Sequence, residues 1–244
     1  MDERSPYATP TSKLTEHASA AGGSVEQAIA GGIDWDIGSL LSEGWEKTKG
    51  FKGVFWLAVL LYLVVVFALL AVELTLVKVL GQQESAALIA ALAALIRQML
   101  VVPMVAGLFV LGIRRAGDLP LSANILFAYY HRILGLFFLN LVMALMIMLG
   151  FLLLVLPGIY LSIAYLFAMP LMVEKNMGLW EALETSRKAL THGWFKVFAL
   201  VLVSMILATV AMIPLGLGLI WVLPMLSVSF GLLYVKLFGI YPHG

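Results

Sequence analysis

Glu73 and Arg97 are the residues best placed to do chemistry in this chain. Each is a formal charge embedded in a long apolar run. A charge at hydrocarbon depth costs several kcal/mol unless it finds a partner. The two runs are consecutive, and both residues fall toward the same end of them. They are therefore expected to meet across a hairpin, as a structural ion pair or as part of a polar path for an ion or solute. The other chemistry-bearing residues are sparse. His17, His131, His192 and His243 are isolated and lack metal-ligand spacing. His131 and His192 each precede an apolar run and read as interfacial polar residues. In Asp34-Trp35-Asp36 the acids suit the N-cap of a following helix better than a cation site. Ser186 has no base at helical spacing to activate it. There is no phosphate-cradling glycine loop and no GxSxG elbow. The reading is non-enzymatic, with no metal and no cofactor.

The elements that carry these residues follow from composition. Of 244 residues, 62% are hydrophobic and 12% charged, and no cysteine is present, which excludes disulfide and thiolate chemistry. The mean hydropathy is +1.03. So much apolar surface cannot be hidden in a globule of this size. A formal net charge of +1 argues against a nucleic-acid partner. Residues 1–33 mix charges with Ser, Thr, Gly and Ala and lack the apolar core of a signal peptide. They read as a mobile cytoplasmic tail, with residues 34–244 as a membrane domain.

A spanning helix needs about 20 apolar residues for a hydrocarbon core of roughly 30 Å. Six runs qualify: Phe55–Val77, Ala86–Leu111, Ile133–Leu154, Leu156–Val173, Phe195–Ile213 and Leu215–Leu237. The predicted fold is all-α and polytopic, with six transmembrane helices arranged as three hairpins. Pro157 and Gly158 mark the break between the third and fourth spans, and Pro214 that between the last two. Arg97-Gln98 interrupts the second run. It fits either one long tilted helix or an interfacial helix over 85–97 followed by a shorter span. Lys47, Lys49, Lys52, Arg114, Arg115, Arg132, Lys175, Arg187, Lys188, Lys196 and Lys236 flank one side, and Lys78 alone the other. The positive-inside rule then places both termini in the cytoplasm of a bacterial inner membrane.

Polar stretches at 36–55, 120–138 and 178–198 each precede a hairpin. Each carries basic residues late, then a glycine (Gly50, Gly135 or Gly193) and an aromatic-led apolar run. The returning spans share an apolar–Pro–apolar step at Pro103, Pro170 and Pro224, and each is expected to break its helix. These echoes predict three pseudo-repeats, 36–113, 120–174 and 178–238, each an amphipathic interfacial helix followed by a hairpin. In the third, Leu179, Leu183, Leu190 and Trp194 share a stripe, and Glu181, Glu184, Arg187 and Lys188 lie away from it. Such a helix is expected in the membrane plane. Trp180, Arg187, Lys188, Trp194 and Lys196 would then meet anionic headgroups of the cytoplasmic leaflet. Small residues from Ala86-Ala87 to Ala93-Ala94 suit a membrane-protein partner or self-association.

Over Leu156-Pro157-Gly158, the apolar run after it, Glu181-Ala182-Leu183 and Ser186, the chain resembles a family of bacterial integral membrane proteins. That family has no agreed activity. Its fold also occurs as the membrane domain attached to some glycerophosphoryl diester phosphodiesterases. The resemblance extends over most of residues 36–240 and implies a six-span inner-membrane protein. It does not bring the phosphodiesterase chemistry, which belongs to a separate soluble barrel with no room in this chain. The expected function is a lipid-contacting scaffold or accessory subunit of a membrane complex. The alternative is a small transporter or channel-like protein for a solute or lipid.

Overall fold

The computed structural model describes residues 22–80 and 86–240. Apolar runs of transmembrane length become helices because only intra-segment hydrogen bonding satisfies the backbone in hydrocarbon. The spans are α3 (Lys52–Leu80), α4 (Ala86–Ala116), α5 (Ile133–Leu153), α9 (Trp194–Met212), α10 (Leu219–Phe238) and a broken span four. Among the described residues, six segments are long and apolar enough to cross a membrane. Span four is α6 (Val155–Ala164) followed by α7 (Ala168–Glu174). Three shorter helices complete the set: α1 (Val25–Ala30), α2 (Ile37–Lys47) and α8 (Leu179–His192).

Several boundaries answer the sequence directly. Asp36 caps α2, its Oδ2 accepting from the Ser39 N–H at 2.8 Å. Gly50 takes a left-handed φ of 78° in the turn between α2 and α3. The second span is one continuous helix through Arg97 and Pro103, not an interfacial helix plus a short span.

Others depart from expectation. Residues 22–33 of the supposed tail are folded. α1 packs on α8 and α10, Ala28 is buried, and the Gly23 N–H reaches the Lys236 carbonyl at 3.1 Å. The rest of that tail lies outside the described residues. The amphipathic helix expected over 120–138 is instead two short 3-10 turns, Ala123–Phe127 and Tyr130–Arg132, running into α5. Gly135 lies inside the first turn of α5, where a Cβ would meet the Met172 side chain at 3.0 Å. Gly193 caps α8 with an ordinary negative φ. The second hairpin turns one residue after α5, at an extended Leu154. Pro157 stands in the first turn of α6, where its missing N–H would have no intrahelical partner anyway. Gly158 serves packing, not reversal: a Cβ there would lie 2.4 Å from the Phe151 ring.

The core sits where α4, span four and α10 come together. Met104, Leu111, Leu171, Phe167, Leu233 and Tyr234 are nearly or wholly buried there. The odd spans turn apolar side chains outward: Leu60, Phe67, Leu152, Ile206 and Ile213 are exposed. α4 and α10 cross backbone to backbone. A Cβ on Gly231 would lie 2.4 Å from the Gly112 carbonyl oxygen.

The stretches before the second and third hairpins pack on the hairpin that precedes each, and the stretch before the first packs on the last hairpin. The 3-10 turn at 123–127 lies on α4, α8 on α6 and α7, and α2 on α10. Gly107 and Gly44 make room for two of these contacts, with hypothetical Cβ distances of 2.7 Å to Leu126 Cα and 2.1 Å to Ser229 Oγ.

Candidate functional site

Glu73 on α3 and Arg97 on α4 come together. Arg97 Nε donates to Glu73 Oε2 at 2.7 Å, with side chains 31% and 16% exposed respectively. One residue on, Gln98 Nε2 donates to Asn140 Oδ1 of α5 at 3.0 Å. Two polar pairs thus tie three consecutive spans at adjacent levels. Asn140 is a lone amide in the third apolar run and Gln98 stands out beside Arg97 in the second, but nothing in the sequence pairs the two.

The helix breaks expected at Pro103 and Pro224 do not form: α4 and α10 run on through both, because other groups donate near the freed carbonyls. Pro224 has no N–H to give the Ile220 carbonyl, and the Trp56 indole supplies one at 3.1 Å. Pro103 likewise deprives the Met99 carbonyl, and the Tyr130 hydroxyl donates to its neighbour, Leu100 O, at 2.8 Å. Pro170 sits in the first turn of α7, so the break in span four falls before it, at residues 165–167. Ser186 of α8 repairs that break. Its Oγ donates to the Ala164 carbonyl at 2.7 Å and accepts from the Phe167 N–H at 3.2 Å. All three prolines are buried. Ser186→Ala leaves a buried donor and acceptor unpaired and should cost about 2 kcal/mol. Thermal unfolding in detergent measures this, with Thr209→Ala, an exposed hydroxyl bonded to its own helix, as the unaffected control.

The proposed headgroup residues divide. The apolar stripe of α8 faces protein, not lipid: Leu183, Ala182, Ala189 and Leu190 are buried against the spans it packs on. α8 doubles back along span four, and Thr191 Oγ1 meets the Tyr160 hydroxyl at 2.8 Å. A complementary protein surface covers that stripe in place of the expected lipid. Trp194 is half-buried, stacked on Phe198 at 5.1 Å, with its indole N–H 3.3 Å from the Tyr160 carbonyl. Trp180 remains 64% exposed. Arg187 forks onto Glu184 at 2.7 and 2.8 Å, and Lys188 adds a 3.4 Å contact. Hydrogen bonding from the Arg187 guanidinium holds the Glu184 carboxyl down at about 2. Lys196 pairs with Asp34 at 2.8 Å, which lowers the Asp34 pKa, and lies 6.0 Å from the Trp35 ring.

One partly buried polar cluster carried no sequence signal, because its parts come from three separate segments. The Tyr129 hydroxyl donates to Glu174 Oε1 at 2.9 Å. Tyr234 is fully buried, edge-on to Phe167 at 5.6 Å, and its hydroxyl has no hydrogen-bond partner among the described residues. His131 Nδ1 lies 2.8 Å from the Ala128 carbonyl. Among the described residues no three His, Asp or Glu side chains gather as metal ligands.

The chain matches no protein-family model, and no curated protein or solved structure matches it.

Proposed function

We propose that this chain is a non-enzymatic, lipid-contacting scaffold or accessory subunit of a bacterial inner-membrane complex, with both termini cytoplasmic. One observation carries the reading. Glu73 is paired with Arg97 and Gln98 with Asn140 inside the spans, while the outward faces of the odd spans are almost wholly apolar. Such a body meets hydrocarbon and other helices over most of its area and offers its remaining charge at the helix ends. The skew of basic residues toward one side supports the orientation.

A small transporter is the second reading, and the interruption of span four at residues 165–167, beside buried Tyr234, favours it. Discontinuous helices often mark carrier sites. Affinity purification from native membranes in mild detergent separates the two. The scaffold reading expects a second membrane protein at fixed stoichiometry. Recovery of the chain alone, with a co-purified small solute, would overturn it in favour of carriage.

A further inference from the structure

The lipid-contacting reading has a specific seat. Between α3, α4 and α10 lies a cavity of about 200 Å³ whose walls are Phe55, Val59, Phe109, Ile113, Phe230 and Gly231. Its floor exists because α4 and α10 meet at glycines: no side chain from Gly112 or Gly231 fills the crossing. Leu60, next to the lining residue Val59, and Val64 one turn on are each 58% exposed on the outward apolar face of α3. Water is a poor occupant of a cleft with so little polar lining.

The residues at one end of this cleft supply the second part of the argument. Lys52 is one turn from Phe55, and Arg114 and Arg115 follow Ile113. Arg115 donates to the Lys47 and Lys49 carbonyls and Arg114 to the Pro120 carbonyl, which gathers the loop bases at this end. Lys47 is paired with Asp118. Among the described residues, Lys49, Lys52, Arg114 and Arg115 have no carboxylate within salt-bridge reach, and Lys52 Nζ lies 5.5 Å from the centre of the Trp221 ring. Uncompensated positive charge therefore stands at the end of an apolar, hydrocarbon-facing cleft. An anionic phospholipid has the matching shape and charge, with an acyl chain for the cleft and a phosphate for the bases.

We propose that the α3–α4–α10 cleft binds one acyl chain of an anionic phospholipid whose headgroup rests on Lys49, Lys52, Arg114 and Arg115. The proposal rests on the lipid-contacting reading but goes further, because it names a retained lipid at a defined position.

Native mass spectrometry after exchange into equal phosphatidylglycerol and phosphatidylcholine tests it. The parent chain should retain one phosphatidylglycerol in preference to phosphatidylcholine. Val59→Trp fills the cleft from α3 and Ser227→Phe from α10. Whichever keeps the parent's helical circular dichroism and elution volume should lose that adduct. Lys49→Gln with Lys52→Gln leaves the cleft open and should reduce the headgroup preference about thirtyfold. Equal retention of the two lipids by the parent chain, or an adduct that survives cleft filling, would overturn the site. So would a dimer that disappears when the cleft is filled, since a second copy would then be the occupant. If the site fails while a stoichiometric protein partner is recovered, only the seat is lost and the scaffold reading stands.

Discussion

Gly231→Leu should strip α10 from α4 and yield a protein that unfolds or aggregates on extraction. A Cβ at this position would lie 2.4 Å from the Gly112 oxygen, 2.5 Å from its carbonyl carbon and 2.8 Å from the Ile113 nitrogen. The reciprocal contact is as tight, with a Cβ on Gly112 falling 2.4 Å from the Ser227 oxygen. All these atoms belong to backbones inside helices, so no rotamer change relieves the clash. The helices must separate, and the buried row Val228, Leu232 and Leu233 of α10 loses its packing with them. Overpacking a core costs about 1–3 kcal/mol, and a backbone clash belongs at the upper end or beyond. Gly53→Ala is the control, because a Cβ there meets nothing within 4 Å. Size-exclusion profiles after a heating series give the comparison. If Gly231→Leu tracks Gly53→Ala, the close crossing is wrong.

Removing one member of the Glu73–Arg97 pair should be the other large effect. Glu73→Leu leaves a guanidinium on a face otherwise lined by Leu69, Val72 and Leu76. Breaking a desolvated pair costs about 3–5 kcal/mol, whereas exchanging both members for apolar residues is often close to neutral. The single variant should therefore lose most of its thermal stability in detergent. The double variant Glu73→Leu/Arg97→Leu should recover much of it. That ordering would be reversed if each charge served its own solvated path, because losses at independent sites add.

The membrane class, the helix content, the Asp36 cap and the Glu73–Arg97 pairing were legible in the residues because each follows from a local rule. Hydrocarbon solvation dictates apolar runs, an unpaired N–H attracts a carboxylate, and an embedded charge requires a partner. What covers an apolar stripe was not legible. The periodicity of α8 reports one greasy face but is silent on whether lipid or span four meets it. The folding of residues 22–33 escaped notice because its anchors are a few small residues, such as Gly23 and Ala28, set in a polar composition. Pro157 misled by one turn, since proline both ends helices and opens them. The stretch 120–138 has the length of a helix, yet Gly107 of α4 accepts it as a 3-10 turn at backbone distance. The repair of the proline gaps by Trp56 and of the break by Ser186 depends on elements far apart in sequence. Only the three-dimensional arrangement shows it.

The central claim is that hydrocarbon, not water or protein, covers the outward faces of the odd spans while the charged face of α8 stays wet. The chain has no cysteine, so single-cysteine variants report one position each. In lipid nanodiscs, a water-soluble maleimide should label Lys188→Cys readily. Val64→Cys and Ile206→Cys, both 58% exposed in the bare protein, should stay unlabelled until detergent denaturation. Labelling of positions 64 and 206 at the rate of position 188 in the intact nanodisc would contradict the account.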